Sequence, residues 1–177
     1  MKLDIEKELK ENKVILLLVP SIDYNEIVHS TAKDLSKKNL GYVTLNKTYD
    51  SLKEDFKKSK INLNNILFID AISKTIKNVP DQAKGVYYLS APNSLTEISI
   101  QVSSIARHKF DYLIFDSLTN LLIYQQKAPV AKFLATIINK IRDSDTRAVF
   151  YCLDVKEHEE LIQEASMFVD KVIHYTK

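Results

Sequence analysis

Three aspartates that follow predicted strands are the residues of this chain best placed to do chemistry. Asp70, Asp116 and Asp154 each end or follow an apolar run, and Ser117 comes directly after Asp116. Ligands of open α/β sheets bind beyond the carboxyl ends of the strands. Carboxylates gathered there would suit Mg²⁺, which prefers oxygen ligands. For Asp70 and Asp154 we favour the alternative that each caps the turn or helix that follows.

The pair Asp116-Ser117 is the sharpest of these signals. Four apolar residues precede it, and a strand that ends in Asp followed by Ser or Thr is typical of a Walker B motif. In such a motif the Asp holds magnesium, usually through water, and the metal neutralises the phosphates. Many buried strands end in Asp, so the pattern alone is weak, and we favour a structural role.

The turn after the first predicted strand lacks the residues that phosphate binding requires. A phosphate loop reads Gly-x-x-x-x-Gly-Lys-[Ser/Thr]; its glycines let backbone N–H groups curl around phosphate, and its lysine reaches the outer phosphates. Aligned from Pro20, the lysine position holds Glu26 and the hydroxyl position holds Ile27. A shift of one residue in either direction restores no lysine. Asp23 and Glu26 instead have the spacing of a helix capping box.

Other catalytic chemistries find no support in the residues. Cys152 is the only cysteine, which excludes an intramolecular disulfide and a cysteine-based zinc site. The four histidines occur in no Gly-x-Ser-x-Gly or His-Glu-x-x-His setting. A phospho-acceptor role for Asp70 would need a pair of acids after the first strand, where Pro20-Ser21 stand. We therefore expect no catalytic residue and no metal site.

Alternating strands and helices must position these residues. Apolar runs predict strands over 14–19, 42–45, 66–70, 110–116 and 148–153, a short edge strand or extended segment over 86–89, and a closing edge strand over 169–175. Helical spacing predicts helices after Asp23 to about residue 38 and over 49–59, 94–108, about 129–141 and 157–167, with a short helix or loose lead-in over 2–12 and an irregular stretch over 71–85. This alternation predicts an α/β fold of three layers, a mostly parallel twisted sheet with helices on both faces. We expect a single domain over residues 1–177.

Composition and the N-terminal residues bear on the partners and the compartment of the protein. The 25 basic and 23 acidic residues leave a net charge of +2, too balanced to predict binding to nucleic acid or membranes. The N-terminus is too charged for a signal peptide. No apolar run approaches the roughly 20 residues that span a bilayer. We expect a cytoplasmic protein.

Several segments, taken in order, resemble the RecA superfamily and, within it, the KaiC-like proteins. The closest stretch is the helix that begins near Leu95 and the strand that ends in Asp116-Ser117-Leu118-Thr119. The strand Ile66–Asp70, continued by Ala71, and the closing segment Val169–His174 are similar to KaiC-like strands. The resemblance covers most of residues 13–175 and implies a P-loop-NTPase-like fold.

The departures from this family fall on its catalytic parts. The resemblance implies a phosphate loop after the first strand, which is missing. It also implies a catalytic glutamate just after the second strand, where Asn46-Lys47 stand. Under this interpretation Asp116, Ser117 and Asp70 are remnants of a nucleotide site, and no cofactor is expected.

Three functional hypotheses follow. The first is a non-catalytic RecA/KaiC-like domain, regulatory or signalling, that acts through contacts with a protein partner or with copies of itself. The second is residual nucleotide binding or ATPase activity with Mg-ATP through Asp116, and the third is nucleic-acid binding. The segment Leu121–Tyr124 is either an exposed apolar patch for a partner or packs beneath the following loop.

Overall fold

The fold is built on one eight-stranded sheet, seen in a computed structural model that describes residues 3–177. Six of its seven strand pairings are parallel, and only β4 and β5 pair in opposite directions. The strands are β1 (Val14–Val19), β2 (Leu40–Thr44), β3 (Ile66–Asp70), β4 (Gln82–Ala83), β5 (Val86–Tyr88), β6 (Tyr112–Asp116), β7 (Arg147–Leu153) and β8 (Lys171–His174). Their order across the sheet is β4-β5-β3-β2-β6-β7-β1-β8.

Residues 3–177 form eight α-helices, most of which cover the two faces of the sheet. They are α1 (Ile5–Glu11), α2 (Tyr24–Leu35), α3 (Tyr49–Lys58), α4 (Ser73–Ile76), α5 (Leu95–Arg107), α6 (Leu118–Tyr124), α7 (Lys127–Arg142) and α8 (Glu159–Ser166). Helices α1 to α3 pack on one face and α5 to α8 on the other, each against its own apolar core. The predicted three-layer α/β fold is confirmed.

The two cores share β1, which explains why its sequence is apolar without alternation. Leu16 and Leu18 face the core under α5 to α8, and Ile15 and Leu17 face the core under α1 to α3. A strand buried on both faces needs no polar side, so its apolar residues run continuously. All six residues of β1 are fully buried.

Two local predictions are wrong. The stretch 71–85 is not wholly irregular, since it holds the short helix α4 and the two-residue edge strand β4. Asp23 and Glu26 form no capping box: Asp23 precedes α2 with helical rather than extended backbone angles, and its side chain makes no capping hydrogen bond. It lies instead 2.5 Å from the ammonium of Lys177.

Gly41 in β2 allows α5 to approach the sheet closely. A Cβ added at this position would lie 2.6 Å from the Cδ1 atom of Ile105. Any larger residue would therefore force the side chain of Ile105 to shift. Across residues 3–177, no helix combines the length and apolarity needed to cross a membrane.

Candidate functional site

The carboxyl edge of the sheet brings Asp70 and Asp116 to either side of one residue. Thr44 at the end of β2 pairs in register with Asp70 of β3 and with Asp116 of β6. With strands about 4.8 Å apart, the two carboxylates belong to the same part of the edge. Both side chains are almost completely buried.

Both oxygens of the Asp70 carboxylate accept two hydrogen bonds each, most of them from residues that follow Asp70 in the chain. Its Oδ1 accepts the backbone N–H groups of Ile72 and Ser73 at 2.7 and 2.8 Å. Its Oδ2 accepts the backbone N–H of Tyr49 at 2.7 Å and the hydroxyl of Ser73 at 2.5 Å. Asp70 thus closes the turn before α4 and anchors the start of α3, as the capping interpretation predicts.

Both oxygens of the Asp116 carboxylate accept hydrogen bonds from side chains that lie far away in the sequence. The hydroxyl of Tyr24 donates to Oδ1 at 2.5 Å, and that of Tyr42 donates to Oδ2 at 2.6 Å. The amide of Asn46 also donates to Oδ1, at 3.2 Å. Tyr24 opens α2, Tyr42 lies in β2 and Asn46 follows β2, so this cluster ties three elements to the end of β6.

Burial governs the ionisation of this cluster. It raises the pKa of the Asp116 carboxyl, and the hydrogen bonds from Tyr24 and Tyr42 and the charge of Lys47 offset only part of that effect. Burial, and next the negative charge of Asp116, hold the pKa values of Tyr24 and Tyr42 well above their usual range. Both phenols are therefore neutral donors at neutral pH.

Tyr151 completes the surroundings of Asp116 without bonding to it. It lies in β7, fully buried, with its ring centroid 5.9 Å from that of Tyr24 in an edge-to-face arrangement. Its hydroxyl has no hydrogen-bond partner within residues 3–177. Burial raises its pKa, so it too stays protonated.

Ser117 makes no hydrogen bond to the Asp116 carboxylate within residues 3–177. Its hydroxyl donates to Oδ1 of Asn120 at 2.5 Å, within the first turn of α6, and the Asp116–Ser117 peptide bond is cis. The side chain is 1% exposed. Although burial raises the pKa of Tyr24 by more, the Ser117 hydroxyl lies near enough to that of Tyr24 to lower this pKa.

The turn between β1 and α2 uses its own backbone donors. The N–H of Asp23 donates to the carbonyl of Pro20 at 3.0 Å, and that of Tyr24 donates to the carbonyl of Ser21 at 3.4 Å. Glu26 is exposed, with its carboxylate 3.9 Å from the ammonium of Lys177. Two backbone N–H groups of the turn are thus used within it, and its two acids share the ammonium of Lys177.

Asp154 lies at the same edge but is exposed. Its carboxylate contacts Nδ1 of His174 at 3.1 Å, across from β8. The predicted capping role is wrong for this residue, because the 3-10 turn Lys156–His158 that follows has no side-chain cap. Asp154 does not join Asp70 and Asp116, and residues 3–177 contain no cluster of three or more His, Cys, Asp or Glu side chains suited to a metal.

Sequence reasoning missed the tyrosines that define this site. The sequence patterns assign Tyr24 only to the opening of α2, and Tyr42 and Tyr151 only to strands. A tyrosine within a buried strand is a usable signal, since its hydroxyl needs a polar partner in the core. Cys152, in contrast, is inert: burial raises the pKa of its thiol to about 11.

Comparisons with known proteins agree with the architecture and leave the activity open. The model of a family of unknown function, DUF7504, matches residues 67–175. A comparison with curated proteins finds no match. Among solved structures, the KaiC-like protein PH0186 from the hyperthermophilic archaeon Pyrococcus horikoshii OT3 is similar with a TM-score of 0.64 at 9% identity, over 92% of this chain and 70% of that one. At this identity the likeness shows the fold alone, and it confirms the expected RecA/KaiC-like architecture.

Proposed function

This chain belongs to the family of unknown function DUF7504, and we propose that it is a RecA/KaiC-like domain without catalytic activity that works through contacts with other proteins. The proposal keeps the fold and assigns no chemistry to the carboxyl edge of the sheet. The closure of Asp116 by Tyr24, Tyr42 and Asn46 is the observation that carries it.

A magnesium-bound nucleotide does not fit the residues present. A magnesium-holding carboxylate must face the phosphates through water, whereas both oxygens of Asp116 accept hydrogen bonds from protein side chains. A phosphate loop must offer free backbone N–H groups, whereas those of Asp23 and Tyr24 close the turn itself. Glu26 places a negative charge where the phosphates need a lysine. We infer that the phosphate loop has been lost and the fold kept.

The position expected for the catalytic glutamate supports the same conclusion. Asn46 stands there and donates its amide to Asp116. The neighbouring Lys47 forms an ion pair with Asp55 at 3.0 Å. Neither side chain is free to activate a water molecule, so the residues that would drive hydrolysis serve the internal structure.

Contacts with other proteins are supported by apolar side chains exposed around the same edge. Ile22 follows β1 and is 89% exposed, and Ile76 at the end of α4 is 68% exposed. In the segment Leu121–Tyr124, Leu121 is buried, whereas Ile123 and Tyr124 are 67% and 47% exposed. The segment is therefore packed at one residue and exposed at two others, so the packing interpretation and the exposed-patch interpretation each hold for part of it. A contiguous exposed apolar patch marks an interaction site, and these side chains are candidates for such a patch.

Titration calorimetry with Mg-ATP tests the loss of nucleotide chemistry. We expect no saturable heat up to millimolar nucleotide and no phosphate release. Asp116→Asn is the matched variant, because it keeps the shape of the side chain and removes the charge that would hold magnesium. Saturable micromolar binding, with turnover abolished in Asp116→Asn, would contradict the proposal.

Two simple measurements address the remaining hypotheses. A ligand that binds only the folded state raises the melting temperature, so residual nucleotide binding predicts a shift with nucleotide, and we expect none. Nucleic-acid binding predicts association that weakens steeply with salt. We expect no association with single-stranded or duplex DNA at physiological salt.

A further inference from the structure

A continuous groove runs between α5 and α7, on the face of the sheet away from the Asp116 cluster. It consists of two adjoining hollows of about 460 and 580 Å³ that share Ile100 and Lys140. Leu95, Pro129 and Phe133 line its first half. At its centre Ile100 is 55% exposed, although it lies on a helix whose other apolar residues pack inward.

The groove carries an excess of positive charge that the protein does not neutralise. Its lining includes four cations and two carboxylates: Arg107, Lys109, Lys132, Lys140, Asp143 and Asp145. None of the four cations pairs with a carboxylate anywhere in residues 3–177. Lys140 donates only to the hydroxyl of Ser99, at 3.1 Å. Elsewhere on the surface lysines do find acids, as Lys77 does with Asp50 at 2.6 Å.

We propose that this groove binds an acidic amphipathic helix of a partner protein. An apolar floor flanked by unpaired cations is complementary to a helix with an apolar stripe and acidic flanks. The 13 residues of α5 extend about 20 Å, which matches three to four turns of a docked helix. The inference rests on the proposed function, since it names the surface and partner class for a protein that works by contacts.

The charges also determine which part of the groove the acidic residues of the bound helix occupy. Lys132 and Lys140 flank the apolar half of the groove, whereas Asp143 and Asp145 lie at its far end beside Arg107. Acidic residues of the partner therefore lie over the two lysines, whereas the other end of the partner meets Arg107 and Lys109 together with the two aspartates, where the charges balance. A nucleic acid fits less well, because a uniform polyanion would meet these two aspartates and would leave Ile100 without an apolar contact.

Photo-cross-linking in the source cells tests the site directly. p-Benzoylphenylalanine is placed at position 100 in one full-length variant and, as matched controls, at the exposed positions 22 and 123 in two others. We expect position 100 to capture a protein segment that mass spectrometry maps to a helix with apolar residues three and four apart and acidic flanks. If only position 22 or 123 captures a protein, the proposed function stands and the groove inference falls. If no position captures any protein, both fall.

The binding of a synthetic peptide measures how strongly the groove prefers acidic flanks. The probe is a labelled helix of four turns with leucine along one stripe and glutamate on both flanks, and the control has lysine in place of every glutamate. We expect the glutamate peptide to bind the wild-type chain and the lysine peptide to bind at least tenfold more weakly. Ile100→Lys distinguishes an acidic helix from a nucleic acid as the bound partner. It adds a positive charge, which a nucleic acid would favour, and removes the apolar contact, which an acidic amphipathic helix needs.

The expected pattern is specific to a helical peptide. Ile100→Lys and the double variant Lys132→Glu/Lys140→Glu each weaken the glutamate peptide at least tenfold, and Met167→Lys, at an exposed apolar residue outside the groove, leaves it unchanged. Circular dichroism confirms that each variant is folded, which is expected because none of the four side chains is buried. Equal binding of both peptides, or stronger binding of single-stranded DNA to Ile100→Lys than of the glutamate peptide to wild type, overturns the proposal.

Discussion

Asp70 and Asp116 end neighbouring parallel strands on either side of Thr44, yet they are held in opposite ways. Three of the four donors to Asp70 are backbone N–H groups, and two of these belong to residues within three positions of it. All three donors to Asp116 are side chains, from residues at least 70 positions away. One carboxylate therefore shapes its own turn, and the other holds α2, β2 and β6 together. Backbone donors are fixed in place, whereas hydroxyl groups can rotate, so the two sites differ in what they tolerate.

Replacement of each aspartate by asparagine is the sharpest test of that difference, and the largest effect is expected at Asp70. An asparagine at position 70 directs its amide N–H groups at fixed backbone or hydroxyl donors. At least one buried N–H then loses its acceptor, so Asp70→Asn is expected to destabilise the fold by about 3 kcal/mol. Urea denaturation, followed by circular dichroism, measures the loss. A change as small as that in Asp116→Asn would contradict the distinction between fixed and rotatable donors.

The second test removes one donor to Asp116. In Tyr42→Phe the ring and its contacts with Phe56 and Phe68 remain, but Oδ2 of Asp116 stays buried without a hydrogen bond. A lost hydrogen bond to a buried charged group costs about 2 kcal/mol. Tyr151→Phe is the matched control: it removes an equally buried hydroxyl that has no hydrogen-bond partner within residues 3–177, so its unfolding free energy should be no lower than that of wild type. Similar losses in both variants would rule out a specific role for the bond.

The local site was predictable from the sequence, and the long-range site was not. An Asp at a strand end suggests a capped turn, and Ile72 and Ser73 lie where that interpretation places the partners of Asp70, whereas the contact with Tyr49 was not predicted. The pattern around Asp116 is equally visible but points to magnesium, because no short-range spacing connects it with Tyr24 or Tyr42. Only the strand order β2-β6-β7-β1 brings those tyrosines together. Pattern alone fixes neither which strands are neighbours nor which side chains meet across them.

The fold was easier to predict from the sequence than the site, because the fold depends on the periodicity of apolar residues along the chain. The continuous apolar run Val14–Val19 requires burial on both faces, which only a central strand provides. The sparse apolar residues of 169–175 predicted a sheet edge, and β8 is an edge strand. The failures were local: the capping interpretation of Asp23 assumed an extended backbone that the tight turn before α2 does not have.

A smaller effect, with a definite pH dependence, is expected for Asp116→Asn. The amide can donate to the hydroxyl of Tyr42, which rotates and accepts, so the change at acidic pH stays below about 1 kcal/mol. Burial raises the folded-state pKa of Asp116. The folded protein therefore keeps a proton that the unfolded chain releases, and stability falls as pH rises from the usual aspartate pKa through the raised folded value. The Asp116→Asn variant has no proton to release at this position and would carry no such loss.

The difference in unfolding free energy between wild type and Asp116→Asn isolates the contribution of the Asp116 carboxyl. The carboxyls of Asp50, Asp55 and Asp170 have lowered pKa values and favour folding at higher pH, but they are common to wild type and variant and cancel. Unfolding free energies of both proteins, measured from acidic to neutral pH, should show the variant gaining on wild type as pH rises. A constant or opposite difference would mean that Asp116 is not held in a desolvated cluster.

The smallest effect belongs to Asp154, the strand-end aspartate that neither shapes a turn nor joins elements. Its contact with His174 lies at the surface, with the histidine side chain 60% exposed. Solvent and salt screen such a pair, so Asp154→Ala is expected to change the unfolding free energy by less than about 0.5 kcal/mol. The same denaturation series measures it, with Asp70→Asn as the positive reference. A loss of the size seen at Asp70 would show that position on the carboxyl edge, rather than burial and donor type, determines what these aspartates contribute.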